Sequence, residues 1–193
     1  REYFPLMLRE CEELTGMTDS MSLLFDDVPP GEPVSAGVLL DPLLSGLRTR
    51  FPTSTFRVEA EPEALEQTVP DRQWSALVLS ELLANAAESR PGGEVRVRIA
   101  KGESGGLCFE IVDQGKDIPP EHAAGIFAPF FTLRPRRLGL GLAIARRWSD
   151  RMGGVLRLAR NVAGDFAMEW HVPAQAPAPV MEGVISRNDE RRT

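Results

Sequence analysis

Histidine and cysteine are scarce in this 193-residue chain, with two of each. Cys11 and Cys108 make neither a disulfide framework nor a metal-ligand spacing, which fits a reducing compartment. Excess positive charge is lacking too. At a net charge of −6 the chain as a whole has no electrostatic reason to bind DNA or RNA. No apolar run reaches the roughly 18 residues of a membrane span, and no signal peptide is visible. No internal repeat appears, so nothing suggests a solenoid. Aromatics make up only 7% of the residues, which makes the cluster Phe127-Ala128-Pro129-Phe130-Phe131-Thr132 conspicuous. The apolar fraction of 42% and charged fraction of 26% are those of a soluble globular protein with room for one core and an extra element. The start at Arg1 rather than Met reads as a piece of a longer protein, one that membrane or sensor segments can precede.

Residues 74–88 (WSALVLSELLANAAE) are the stretch around which the rest is arranged. They are Ala- and Leu-rich with no Pro or Gly inside, Asp71 is placed to cap the start, and Pro91-Gly92-Gly93 follows the end. At about 100° per residue, Val78, Leu79, Leu82, Leu83 and Ala86 form one apolar face. Glu81, Asn85 and Glu88 share an arc of roughly 60° along its border, where they can line a cleft rather than face bulk water.

Upstream, residues 3–27 read as a helix whose Met7, Cys11, Leu14, Thr18, Met21 and Phe25 make a short seam of the coiled-coil kind. Residues 28–33 (VPPGEP) stop it and make a hinge. Then come a short strand over 34–38, a helix over 39–50, a strand over 53–60 and a partner strand over 65–69. After the central helix, residues 94–101 (EVRVRIAK) alternate cleanly as a half-exposed strand, and 107–112 return as a more buried one. A short helix is predicted over 121–126, a helix over 143–152 ending at Gly153-Gly154, and closing strands over 155–159 and 167–172. The Ala/Pro-rich and polar remainder reads as a disordered tail. This pattern predicts an α/β fold, with helices covering one face of a mixed sheet.

Three polar sites lie along that frame. Gly139-Leu140-Gly141 opening a helix leaves free backbone N–H groups and the positive dipole end where a phosphate can bind. Arg134, Arg136 and Arg137 stand directly before it, suited to phosphate oxygens. Asn85 offers a neutral oxygen to a hard cation such as Mg²⁺. Asp113, at a strand end beside Gly115, can accept a hydrogen bond from the exocyclic amine of adenine.

In this order the residues resemble a known family. Glu81-Leu-Leu-Ala-Asn85-Ala, Asp113-x-Gly115, Phe127-x-x-Phe130 and Gly139-x-Gly141-Leu142 are similar to the N box, first glycine box, F box and second glycine box of sensor histidine kinases. These mark the catalytic, ATP-binding domain of the GHKL superfamily. The resemblance covers about residues 34–172 and implies a two-layer α/β sandwich of the Bergerat type, preceded by an N-terminal helix. The absence of Gly-x-x-x-x-Gly-Lys-Ser/Thr agrees with that rather than with a Walker P-loop.

The resemblance also implies roles. Asn85 becomes the Mg²⁺ ligand, and Glu81 the catalytic residue that orients the metal's water or assists attack. Asp113 contacts adenine, Gly115 shapes the base pocket, and Gly139, Gly141 and Leu142 line the phosphate side. Phe127 and Phe130 anchor a lid over the nucleotide, and Arg134 is its phosphate contact. The implied ligands are ATP and Mg²⁺. Residues 1–30 correspond to the second helix of a homodimerising hairpin, 31–173 to the ATP-binding domain and 174–193 to the tail. The implied partner is a response-regulator receiver domain, and the implied setting the bacterial cytoplasm, with no nucleic acid or membrane contact by this piece.

Two departures stand out. Glu88 occupies the position where many relatives carry Lys, as in the nitrogen-regulator-like branch, and the lid between Thr132 and Gly139 is very short. Neither His122 nor His171 lies on the N-terminal helix, so the acceptor histidine is expected outside this piece. A serine/threonine-type kinase of the same superfamily and a non-enzymatic ATP-gated module are the rival readings.

Overall fold

The computed structural model describes residues 18–25, 29–102, 105–134 and 137–174. Residues 18–25 are helical (α1), and the rest of the predicted N-terminal helix and the tail beyond 174 lie outside the described residues. The chain continues as β1 (Val34–Ser35), α2 (Ala36–Arg50), β2 (Thr55–Ala60), α3 (Pro62–Glu66), β3 (Thr68–Val69) and α4 (Arg72–Ser89). It then forms β4 (Glu94–Lys101), β5 (Leu107–Asp113), α5 (Pro120–Ala123), α6 (Gly141–Arg151), β6 (Val155–Val162) and β7 (Asp165–Val172).

Five strands form one mixed sheet in the order β2-β4-β5-β7-β6, with β2 parallel to β4 and the other pairs antiparallel. Alternation decides which face is covered. Val95, Val97 and Ile99 of β4, Leu107, Phe109 and Ile111 of β5, and Phe166, Met168 and Trp170 of β7 are all buried. They meet Leu40 and Leu44 of α2, Val78, Leu79 and Leu82 of α4, and Ile144 and Trp148 of α6 in one core. Phe109 and Trp170, opposite each other on β5 and β7, stack with centroids 5.1 Å apart. The indole N–H of Trp170 donates to Ser149 Oγ at 3.1 Å, so the largest buried ring keeps its polar atom satisfied.

One expected strand is a correction. Residues 65–69 do not pair with β2, because Pro62-Glu63-Ala64-Leu65-Glu66 form α3. Pro62 sits in the first turn, where its missing N–H costs nothing, and helix-forming residues follow. Only Thr68–Val69 is extended, and it pairs with β1 in a separate two-stranded ribbon. The strand predicted over 34–38 shrinks correspondingly to Val34–Ser35.

Asp71 ties the entry to this layer. Its Oδ1 accepts from Trp74 N–H at 2.8 Å as the N-cap of α4, while Oδ2 accepts from Gly31 N–H at 2.5 Å, fixing the hinge segment against the helix start. At the far side, α1 ends on α6. The Trp148 indole N–H donates to Leu23 O at 3.1 Å, Arg147 donates to Leu24 O, and Leu24 is buried. The seam residues Met21 and Phe25 remain exposed.

Asp71→Ala should lower unfolding free energy by about 1–3 kcal/mol, since it removes a helix cap and strands two N–H donors. Urea denaturation followed by circular dichroism measures this, and an unchanged midpoint would mean the cap is dispensable.

Candidate nucleotide-binding site

Between α4, the end of β5, the 131–140 segment and the start of α6 lies a cleft of about 1260 Å³. Glu81, Asn85, Asp113, Arg134, Gly139, Gly141 and Leu142 all line it, drawn from four separate stretches of chain. The α4 face explains the first two. Val78, Leu79, Leu82, Leu83 and Ala86 are buried in the core, and Glu81, Asn85 and Glu88 border that stripe facing the cleft.

Asp113 ends β5 with 3% of its surface exposed. Ser89 Oγ stands 2.5 Å from its Oδ1, and the Gly115 N–H donates to the same atom at 2.6 Å. Both bonds fall on Oδ1, and no described hydrogen bond takes Oδ2. Burial pushes the Asp113 carboxyl above the ordinary carboxylate range, against the opposing pull of Ser89, Gly115 and Arg134. Gly115 does not itself line the cleft. A Cβ there would lie 2.6 Å from Asp113 Oδ1 and 2.7 Å from Ser89 Cβ, so glycine is what lets the chain fold back onto the carboxylate. The loop beyond it is clamped by Asn161, which exchanges two 2.7 Å hydrogen bonds with the backbone of Ile118.

The phosphate side is built as tightly. A Cβ on Gly141 would stand 2.6 Å from Glu81 Oε2, so the first residue of α6 rests directly against that carboxylate. Gly139 adopts φ 68°, and a Cβ there would meet Phe131 O at 2.2 Å. These glycines leave the opening of α6 short of side chains where residues 139–142 line the cleft. Burial raises the Glu81 carboxyl; Arg50 and Arg137 oppose this and Glu88 adds to it.

Glu88 organises the cations. Arg134 Nη1 lies 3.3 Å from its Oε2, Arg50 Nη2 lies 3.5 Å from its Oε1, and Arg137 pairs with the same Oε1. Arg134 also donates to the Asn85 backbone carbonyl at 3.2 Å, so its side chain reaches into the cleft. Arg136 lies outside the described residues. Arg50, Ser89 and Phe131 are cleft residues that the sequence reading did not single out. Ser89 was detectable as the position one turn beyond Asn85 on the same helix edge. Phe131 belonged to the conspicuous aromatic cluster but was not set apart from Phe127 and Phe130 there, and Arg50 carried no signal.

The two lid phenylalanines sit elsewhere than expected. Phe127 packs on the core beneath the Arg146 guanidinium, 5.4 Å from its centroid, and Phe130 is 57% exposed at φ 66°. Neither lines the cleft, whereas Phe131 does, with His122 tilted against it at 5.6 Å. His171 lies on β7, on the opposite side of the sheet from α4.

Comparison with known proteins identifies the family. Residues 71–176 match the family described as histidine kinase-, DNA gyrase B- and HSP90-like ATPase. The chain belongs to that family. The signal transduction histidine-protein kinase/phosphatase MprB of Mycolicibacterium smegmatis is 32% identical over 167 residues, covering 82% of this chain and 33% of MprB. A solved mycobacterial sensor histidine kinase MprB structure has a TM-score of 0.65 at 32% identity and covers 76% of this chain and 99% of that one. Full-length ShkA in complex with AMPPNP shares the fold, with a TM-score of 0.73 at 20% identity over 92% of this chain and 40% of that one. The chain spans a third or less of the length of the curated relatives it matches. It corresponds to the ATP-binding catalytic part of such sensor kinases. Among the described residues no helix is long and apolar enough to cross a membrane.

The desolvated Glu81 has a consequence for stability. A carboxyl whose folded value is raised stabilises the fold below the ordinary carboxylate range, and that contribution is lost as pH rises through the folded value. Glu81→Gln should therefore raise the urea midpoint of the ligand-free protein at neutral pH, and the two midpoints should converge below about pH 4. Parallel curves at every pH would show that Glu81 is not desolvated.

Proposed function

We propose that this domain binds Mg·ATP in the cleft and presents the γ-phosphate to a histidine on the dimerisation hairpin, for relay to a response-regulator aspartate. The observation that carries this reading is the convergence of an α4 amide and carboxylate, the β5-tip Asp113 and the glycine-opened α6 on one cleft. The AMPPNP bound by ShkA supports ATP as the ligand.

Asp113 Oδ2 takes the adenine amine, and Ser89 and Gly115 hold the carboxylate in that orientation. The α6 amides exposed by Gly139 and Gly141 receive the phosphates. Arg134 and Arg137 reach the same region, already directed into the cleft by Glu88. Asn85 supplies the neutral oxygen donor that would hold Mg²⁺, and the hard oxygens of the cleft fit that ion better than a soft metal. When bound, Mg²⁺ neutralises charge on the phosphate oxygens. Glu81 lies against the α6 opening, where it orients the metal's water or assists the attack of the acceptor imidazole, and burial raises its affinity for a proton. Most of the rate then comes from positioning and charge neutralisation, since phosphoryl transfer asks little covalent work of the protein.

The N-terminal helical region, with Met21 and Phe25 exposed at seam positions, serves the homodimer that brings a partner histidine to the cleft. The setting is the bacterial cytoplasm. His122 and His171, on α5 and β7, are set apart from α1 and are not the acceptor.

Radiolabelled ATP, this protein and a separate hairpin carrying the acceptor histidine form the test. Acid-labile label on the hairpin supports the reading. Acid-stable label on a serine would indicate the serine/threonine type, and nucleotide binding with no label an ATP-gated module.

Two substitutions probe the contacts. Asp113→Ala should weaken ATP-analogue binding by roughly 1.5–3 kcal/mol, the range for a hydrogen bond to a charged group, as read by calorimetry. Asn85→Ala should weaken binding more in Mg²⁺ than in EDTA, whereas an equal loss in both would remove its metal role.

A further inference from the structure

The face of the sheet opposite α2, α4 and α6 carries a second group of metal-binding side chains, far in function from the nucleotide cleft. Cys108 on β5 stands directly opposite His171 on β7, and Glu169 precedes His171 by two residues, so all three project from the same face. Cys108 Sγ lies 3.7 Å from His171 Nε2, and His171 Nε2 lies 3.1 Å from Glu169 Oε2. The three ligand atoms lie within 4.8 Å of one another. All three side chains are half-buried, so strands hold them while one side stays open to solvent.

Hydrogen bonding between alternate residues of one strand accounts for the His171–Glu169 contact, but not for a sulfur from the neighbouring strand converging on the same nitrogen and oxygen. A tetrahedral Zn²⁺ ion with bonds of about 2.3 Å to sulfur and about 2.0 Å to nitrogen and oxygen needs ligand atoms roughly 3.3–3.6 Å apart. The S–N edge at 3.7 Å and the N–O edge at 3.1 Å are already close to that, and the S–O edge is within 4.8 Å. The donor set of one thiolate, one imidazole and one carboxylate suits a borderline ion and not Mg²⁺, which prefers oxygens.

We propose that Cys108, Glu169 and His171 form a Zn²⁺ site on the open face of the sheet, with water in the fourth position. Binding exchanges the Cys108 thiol proton for the metal, so the formation of one S–Zn bond releases one proton to solvent. Arg157 sets the affinity. On β6 opposite Glu169, it donates from Nε at 2.8 Å and from Nη2 at 2.5 Å to the same Oε2 that the metal would take. The guanidinium is therefore a competitor for the ligand, and metal must displace it. This site is independent of the nucleotide reading, because none of the four residues lines the cleft.

Co²⁺ added to the whole protein is the probe, with Zn²⁺ as competitor. A sulfur-to-cobalt charge-transfer band should appear, survive Cys11→Ser and vanish in Cys108→Ser. His171→Ala should weaken Co²⁺ binding about tenfold or more. Arg157→Gln should instead tighten it, an effect that a merely structural ion pair would not produce. No band in the wild type, a band that survives Cys108→Ser, or an affinity indifferent to His171→Ala would each overturn the site. ATP-analogue affinity, measured on the same samples, should be unaltered in every variant. Its retention shows that the variants are folded and keeps failure here separate from failure of the kinase reading.

Discussion

Placing a carboxylate out of water costs free energy that a fold must offset, and here it happens twice around one edge of α4, at Glu81 on the helix and at Asp113 on the β5 tip beside Ser89. Glu81 and the partner of Asp113, Ser89, both extend from the border of a stripe whose other members are core residues. The helix cannot rotate to relieve them. Turning Glu81 toward solvent would drag Leu79, Leu82 and Leu83 off the sheet, and each of those is buried against it. Core packing thus fixes the polar groups at a geometry that hydration alone would not choose. The rest of the site is a set of accommodations to that constraint. Gly141 is bare because Glu81 leaves no room for a Cβ, and Gly115 is bare because Asp113 and Ser89 leave none.

The same constraint explains the inverted charge at Glu88. A lysine there would place a cation at the end of α4 beside Arg50, Arg134 and Arg137, with Glu81 and Asp113 left to balance them. A glutamate makes the helix edge acidic, and the cations come from α2 and from the lid. Glu88 holds the Arg134 and Arg137 guanidinium groups with the same fork geometry that a phosphate would use. The brevity of the lid fits this arrangement. A short segment reaches the cleft only if something in the cleft holds it, and Glu88 and the Asn85 carbonyl both do so.

Periodicity made α4, β4, β5 and α6 legible, since each pairs a long regular pattern with a clear stop: Pro91-Gly92-Gly93 after α4, Gly153-Gly154 after α6. Asp71 was readable as a cap because capping is local chemistry. Residues 65–69 misled because five residues carry too little pattern to separate a short helix from a strand, and Pro62 decided the matter. The motif residues that share the cleft were readable as types with a local reason: a carboxylate one turn from an amide, or a glycine before a helix. Arg50 and Phe166 were not, because what brings them there is the packing of α2 and the sheet, which no local spacing encodes. Phe130 was legible only as a position in a motif. A backbone at φ 66° turns its ring to solvent and gives Phe131 the inward place.

Cys108 and His171 are the limiting case of that difference. They look unrelated along the chain, 63 residues apart, and only antiparallel register between β5 and β7 makes them neighbours. Register is itself set by the buried face: Phe109 must meet Trp170 and Ile111 must meet Met168 for the core to close. Once those apolar pairs are fixed, the alternating positions on the other face have no freedom left, and Cys108 meets His171 as a consequence. The core thus determines the chemistry of both faces of the sheet. On one it holds α4 so that its polar edge borders a cleft, and on the other it aligns three ligand-bearing side chains in the open.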